Sequence, residues 1–465
     1  MNKVFKIENI YLMVAIIIGI VFVFLIPPFN SPDEDSHFKR SYSISDFDLY
    51  PIDNGENIGN YFPKNILKYI NKKQSYMGDR DTKETYSNMV LETQTLRLSK
   101  NKVFNNYSTV AVNPVIYTAP ALGMIFTKVT SAFVGADVTI TNILYGGRIF
   151  SMLFAVIVTF FAIKISPKFK RSMVALALMP MTVFLYSCIT YDSVVIPLSF
   201  LLFGICTKYI YGKDKKISTF DLVLLAIIAF VYLNIKYVYS LNMLMVLFIP
   251  FNKFDLKNKK AIKKYIIIGA LFVAAFIITK IPYYSLDMTK YDKTVDIIAA
   301  QKKFVLNNPF KYLKIYFNTL FSGRNFYITS FVGILGLIDT YIPIIIIVFY
   351  ILFLLFTLLV DGSDNDKKVN IIKRILAIVI PFVIISLCFL GMYIIWTSHM
   401  IGVKAKTITG VQGRYFIPAF CLLPFAFVNK LKFNKLKDKY DYFVVSFCVG
   451  TLLLTTVILL LRFWI

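Results

Sequence analysis

Apolar residues run almost unbroken from Ile10 to Ile26, and comparable runs recur near 142–163, 172–190, 192–211, 218–235, 237–251, 262–281, 340–360, 371–396, 414–429 and 441–463. A helix needs about 20 such residues to cross a bilayer. The pattern therefore predicts an all-α polytopic membrane protein with about 11 transmembrane helices. The run at 237–251 is short and crosses only with little tilt. One further apolar stretch, AVNPVIYTAPALGMIFTKV at 111–129, is interrupted by Pro114 and Pro120 and carries amphipathic Tyr and Thr. It predicts a shallow or re-entrant element rather than a crossing.

Positive clusters assign the sides. Lys3 and Lys6 precede the first run; Lys168, Lys170 and Arg171, then Lys213, Lys215 and Lys216, then Lys257, Lys259, Lys260, Lys263 and Lys264, then Lys367, Lys368, Lys373 and Arg374, and finally Lys430, Lys432, Lys435, Lys437 and Lys439 occupy every second connection. Cytoplasmic loops carry such an excess, so the N-terminus is expected inside and the C-terminus outside. A crossing at 111–129 would put every later cluster on the wrong side. Three outer regions remain, at 27–141, 282–339 and 397–413. They divide the chain into a membrane module at 1–281 that includes the loop 27–141, a loop at 282–339, and C-terminal helices at 340–465 that include the loop 397–413. Within 282–339, PFKYLKIYFN puts Lys311, Lys314 and Asn318 on one helical face and aromatics elsewhere, the pattern of a helix lying in the interface.

The chain has 465 residues, 57% of them hydrophobic, and a formal net charge of +25. The lysines sit between apolar runs, so the charge reflects topology and not nucleic-acid binding. Cys188, Cys206, Cys388, Cys421 and Cys448 are scattered with no CxxC or metal spacing, which argues against a disulfide framework or a zinc site. MNKVFKIEN before an apolar run resembles a secretory signal, but IPPFNSPDE offers no small-residue cleavage site, so an uncleaved first span is expected.

Chemistry concentrates at helix ends on the expected outer side. Ser31-Pro32-Asp33-Glu34 has the form of a capped helix start, with Ser31 as N-cap and Glu34 closing a capping box. Asp33, His37 and Arg40 then fall at i, i+4 and i+7 on one face. On that face Asp33 suits a general base, Arg40 a phosphate ligand, and His37 a group that orients either. Asp192 in SCITYDSVVIP lies at an outer junction, where an acid near membrane depth is costly. Its alternatives are a helix cap or a solvated loop residue. Arg148 in LYGGRIFSMLF enters a span from the outside, to snorkel or to hold a lipid-linked phosphate. Lys236, Arg324 and Arg414 are outward cations near helix ends that suit an anionic ligand or anionic lipid headgroups, and Lys404 and Lys406 add to that field. The adjacent carboxylates Asp33 and Glu34 suit Mg²⁺ or Mn²⁺, although nothing in the pattern demands a metal. His399 has no partner spacing.

Taken in order, PPFNSPDEDSHFKR, NPVIYTAPALG, GGRIFS, ALMPMTVFLYSCITYDS, SFVGILGLIDTYIP and GVQGRYFIP resemble a bacterial family of polytopic membrane proteins classed as a domain of unknown function, with a Pro-Asp-Glu-x-x-His-Phe box after the first span and a Gly-Arg-Tyr-Phe-x-Pro box near the end. That family is similar in architecture to the GT-C glycosyltransferases, which move a sugar from a polyprenyl-phosphate carrier to an acceptor on the outer face of the plasma membrane. The resemblance implies an inverting transferase acting on a cell-envelope glycan or glycolipid. An acid of the first outer loop, Asp33 or Glu34, would be the base, supported by Asp192. It also brings in Gln412 and Tyr415, which flank Arg414 in the last box. Asp35 adds a third acid where relatives carry a small or hydrophobic residue, leaving open which carboxylate is the base. Two other classes fit the composition: a transporter or flippase of lipid-linked sugars, and a non-catalytic component of an envelope-polysaccharide assembly complex. The polar residues gather on one side and no inverted repeat is visible, which favours the enzyme.

Overall fold

Prolines decide which apolar runs become continuous helices. The computed structural model describes residues 6–74, 79, 81–213, 216–284, 286–287, 289–291, 294–362, 369–429 and 437–465. Lys3, Lys215, Lys367, Lys368, Lys430, Lys432 and Lys435 lie outside the described residues. Helix α1 (Ile7–Leu25) ends just before Pro27-Pro28 and leads into α2 (Glu34–Ser45). There follow β1 (Ile52–Asp53), β2 (Ile58–Pro63), α3 (Lys64–Gln74), α4 (Tyr86–Thr95) and β3 (Lys102–Asn105). A 3-10 turn at Pro114–Tyr117 opens α5 (Thr118–Phe133), which precedes α6 (Ile140–Ile165), α7 (Lys170–Ala177), α8 (Pro180–Tyr186), α9 (Asp192–Tyr211) and α10 (Thr219–Ile235). After a 3-10 helix at Tyr237–Phe248 come α11 (Lys259–Tyr284), α12 (Val295–Asn307), α13 (Pro309–Ser322), α14 (Arg324–Val332) and the β4 (Ile334–Leu335) and β5 (Thr340–Tyr341) pair. The chain closes with α15 (Ile344–Asp361), α16 (Ile371–Met392), α17 (Ser398–Met400), α18 (Ile417–Phe420) and α19 (Lys437–Phe463).

Seven of these helices are long and apolar enough to cross a membrane: α1, α6, α9, α11, α15, α16 continued to Met400, and α19. Three expected spans are not long α-helices. The run at 172–190 is split into α7 and α8, because Pro180 begins a new helix and excludes helical backbone from the residue before it. The run at 414–429 breaks into a 3-10 turn at Gly413–Phe416, α18, and a second turn at Leu423–Phe425, with Pro418 and Pro424 at their starts. The run at 237–251 is the 12-residue 3-10 helix, ended before Pro250. These short pieces pack into the interior around α9, whose apolar window is 94% buried.

The stretch at 111–129 forms the 3-10 turn and α5, which lies against the first turns of α6. A Cβ on Gly123 would stand 2.1 Å from the Gly146 carbonyl oxygen, so the two helices touch backbone to backbone. Leu122, Phe126, Val129 and Phe133 are exposed along one stripe of α5. Within 27–141 the structure adds a three-stranded antiparallel sheet, β1-β2-β3, whose strands are too short for their alternation to register in the sequence. In α13, Phe310, Leu313, Phe317 and Phe321 are exposed while Ile315, Tyr316 and Thr319 face the protein.

The two ends of the bundle differ chemically. At one end Lys170 pairs with Glu8 at 3.1 Å, Arg171 with Asp441 at 2.5 Å and Asp361 at 3.3 Å, and Lys208 with Asp221 at 2.8 Å. The start of α2, the start of α9 and the end of α10 meet at the other.

Candidate active site

The chain leaves α1 through Pro27-Pro28 and turns sharply, with Phe29 and Asp33 both in the left-handed region at φ 61° and 63°. This changes the predicted helix start. The capping box does not form: α2 begins at Glu34, Asp33 occupies the N-cap, and no side chain caps the helix. The left-handed turn at Asp33 sends it and Glu34 in different directions, so the pair cannot jointly hold a divalent ion. Asp33 and His37 do not share an open helical face either.

Glu34 points inward. Its carboxylate accepts from Arg148 Nε at 2.8 Å and Nη2 at 2.6 Å, and from the Ile189 amide at 3.1 Å. Arg148 donates its remaining three N–H groups to the carbonyls of Val23, Ile26 and Pro27. All five donors of the guanidinium are thereby used, and both side chains are fully buried. Glu34 as catalytic acid and Arg148 as phosphate ligand are therefore corrected: they form an internal clasp that holds the exit of α1 against α6.

Asp33 points outward, its side chain 60% exposed, and meets Arg414 Nη2 at 3.4 Å. The same guanidinium reaches Asp192 with Nη1 at 3.3 Å, and its Nε donates to Gln412 Oε1 at 2.8 Å. Two acids separated by 159 positions are thus bridged by one arginine from the last box. Asp192 is the first residue of α9, where the helix dipole favours an anion, and Lys236 follows the last residue of α10, where it favours a cation. Lys236 Nζ lies 4.1 Å from the centre of the Tyr415 ring and 4.6 Å from that of Tyr191, a two-sided aromatic cage. Asp192 Oδ1 is buried and has no hydrogen-bond partner among the described residues. An unmet buried acceptor is costly, and it suits a hydroxyl donor from a ligand.

His37 supports this cluster from below. It is buried, its Nδ1 shares a hydrogen bond of 2.6 Å with the Tyr117 hydroxyl, and its ring meets Tyr191 edge-on at 4.9 Å. Burial, reinforced by the nearby Arg414 and Lys236 charges and opposed by Asp35, pushes its pKa from 6.5 down to about 3. The imidazole is neutral at physiological pH. Asn113 fixes this side: its Oδ1 accepts from the Val115 amide at 3.0 Å to start the 3-10 turn, and its Nδ2 donates to Asn234 at 3.2 Å, near Lys236.

Two other expected ligands stand apart. Arg40 is fully buried and donates to the carbonyls of Val112 and Leu49 and to the Tyr283 hydroxyl, bracing the region 27–141 against α11. Arg324 is exposed and donates to the Phe321 carbonyl at 2.9 Å. Neither bonds to the Arg414 cluster. Tyr191 and Tyr117 were missed as site residues, although Tyr191 directly precedes Asp192 and Tyr117 lies in the NPVIYTAP box. Among the described residues, no three of His, Cys, Asp and Glu are placed to share a metal ion.

Fold and site together define a multi-pass helical membrane protein with a charged, aromatic-walled cluster at one end of its bundle. The chain belongs to the family described as "Predicted membrane protein (DUF2142)", whose model matches residues 16–423. No curated protein and no solved structure matches it.

Proposed function

We propose that the chain is a GT-C-type inverting glycosyltransferase, transferring a sugar from a polyprenyl-phosphate carrier to a cell-envelope glycan on the outer face of the plasma membrane. The observation that carries this reading is the bridging of Asp33 and Asp192 by Arg414 beside the caged Lys236. In the reaction, exposed Asp33 takes the proton of an acceptor hydroxyl while that oxygen bonds to the anomeric carbon. The bond from this carbon to the phosphate oxygen breaks, and the phosphate leaves with the electron pair. Asp33, Asp192, Arg414 and Lys236 sum to zero charge before the step. Protonation of Asp33 leaves the cluster at +1 as the departing phosphate gains one negative charge, so the site's field follows the charge that develops. The free oxygen of Asp192 receives a sugar hydroxyl and orients the donor. In this reading the basic end lies in the cytoplasm, with the N-terminus inside, the C-terminus outside and α13 in the outer interface, as the alternating lysine clusters and the amphipathic face of α13 support.

The test supplies purified protein in lipid with a panel of polyprenyl-phosphate sugars and envelope acceptors. Wild type transfers sugar, and Asp33→Asn loses about 10²–10⁴-fold of the rate, the range of a general base. Transfer retained in Asp33→Asn removes the base assignment. Transfer absent from wild type across the panel moves the site to a flippase or an assembly component.

A further inference from the structure

A groove of about 470 Å³ opens where α4, α5 and α6 meet the last turn of α1. That volume lies in the range of sites for small molecules. Two ring pairs make its apolar part, Phe24 with Tyr145 at 5.0 Å and Phe126 with Phe150 at 5.6 Å between centroids. Its polar part is Thr93 and Gln94 of α4, Thr127 and Thr130 of α5, and Asn142 in the first turn of α6. Among the described residues, no charged side chain lines it.

The arrangement of these groups decides the kind of occupant. The end of α4 is held at the start of α6, where Thr141 Oγ1 donates to the Glu92 carbonyl at 3.3 Å and the Ile140 amide to the Leu96 carbonyl at 2.9 Å. Thr93, Gln94 and Asn142 therefore gather at one end of the groove. Phe150 lies about 12 Å further along α6, packed on Phe126. Both α1 and α6 are long and apolar enough to cross a membrane, and Phe24 and Phe126 are exposed on the rim. The apolar end thus faces hydrocarbon, and a lipid chain is what covers its rings. At the polar end the hydroxyls of Thr93, Thr127 and Thr130 donate to the carbonyls of Met89, Gly123 and Phe126, which leaves their oxygens as acceptors. Gln94 and Asn142 add amide donors and acceptors with no side-chain partner among the described residues. Such a set matches hydroxyl groups, each a donor and an acceptor at once. A phosphate instead calls for cations, and the buried cation behind α4, Lys73, is already held between Glu84 and Glu92. Tyr86, exposed on the rim, offers a ring face to the C–H side of a sugar.

We infer that this groove binds one molecule of a neutral glycolipid, a glycosyl diacylglycerol, with its sugar on Thr93, Gln94 and Asn142 and an acyl chain against Phe126 and Phe150. The inference is independent of the transferase reading, and its test needs no turnover. Bound lipid ties α4 and α5 to the two spans they rest on.

The experiment uses the full chain in detergent and follows lipid adducts by native mass spectrometry, with dioleoyl monoglucosylglycerol, dioleoyl phosphatidylglycerol and dioleoylglycerol titrated separately. On wild type the glucosyl lipid is expected to form a one-to-one adduct about tenfold more tightly than either of the others, the effect of one or two net hydrogen bonds. Gln94→Leu combined with Asn142→Leu removes that difference and leaves dioleoylglycerol binding unchanged. Thr93→Trp and Thr130→Trp fill the groove from opposite walls, and each weakens the glucosyl lipid about tenfold, read in whichever variant keeps the wild-type thermal midpoint without lipid. Equal or tighter binding of phosphatidylglycerol on wild type, a comparison that needs no variant, overturns the headgroup assignment. Glucosyl-lipid binding unchanged by the tryptophan substitutions puts the lipid elsewhere and overturns the site.

Discussion

Asp33 and Glu34 are adjacent acids with opposite fates. One left-handed residue separates a 60% exposed carboxylate from a fully buried one. Charge type and proximity to the first span were visible in the sequence, and so was the place of Arg414 and Asp192 beside apolar runs. The backbone sign at Asp33 was not, since it depends on how Arg148 seizes the chain behind Pro27. Breaking that clasp is expected to be severe. Arg148→Met leaves Glu34 buried and uncompensated and should destabilise the protein by about 3–5 kcal/mol, read as a large fall in thermal midpoint in detergent. If Arg148→Met unfolds at the wild-type temperature, the clasp is not structural. His37 gives a pH prediction. Its native pKa of about 3 lies below the ordinary 6.5, so between these values the unfolded chain binds the extra proton. Its contribution is fully present above pH 6.5 and is lost as pH falls toward 3. Thermal midpoints measured from pH 7 to pH 5 should decline in wild type and decline less in His37→Gln.

At the scale of elements, hydropathy found the long helices because bilayer thickness imposes their length. It failed where proline broke an apolar run inside the protein, and proline alone does not decide this: Pro197 and Pro381 lie within α9 and α16, whereas Pro180, Pro418 and Pro424 start new pieces. The difference rests on whether neighbouring segments continue the helix axis, which is tertiary information. The seating of α5 is likewise a contact property. Gly123 and Gly146 are permissive in any sequence, but here each leaves no room for a Cβ. Gly123→Val should push α5 from α6, cost about 1–3 kcal/mol, and shift Tyr117 from His37. Circular dichroism melts in detergent check the first effect. A wild-type melt in Gly123→Val would mean that the two helices are not in backbone contact.

For the whole molecule, the distribution of charge is what an orientation in the membrane can be argued from. Alternating lysine clusters give the expected orientation in the sequence, and the structure gathers Lys170, Arg171 and Lys208 at the end away from Asp33 and Arg414. The meeting of three helix ends around Arg414 was not legible, because residues 33, 192, 236 and 414 are far apart along the chain and only packing joins them. The orientation has a clean test, since all five native cysteines are buried and give little background to a charged reagent. Glu56, in the turn between β1 and β2, and Lys257, between the 3-10 helix and α11, are both exposed. A membrane-impermeant maleimide should label Glu56→Cys in intact cells and Lys257→Cys only after lysis, because the bilayer core of about 30 Å bars a charged probe. The opposite pattern would put the Asp33–Arg414–Asp192 cluster in the cytoplasm. There it would face nucleotide sugars instead of envelope glycans, and the outer-face transferase would be untenable even if Asp33 proved to be a base.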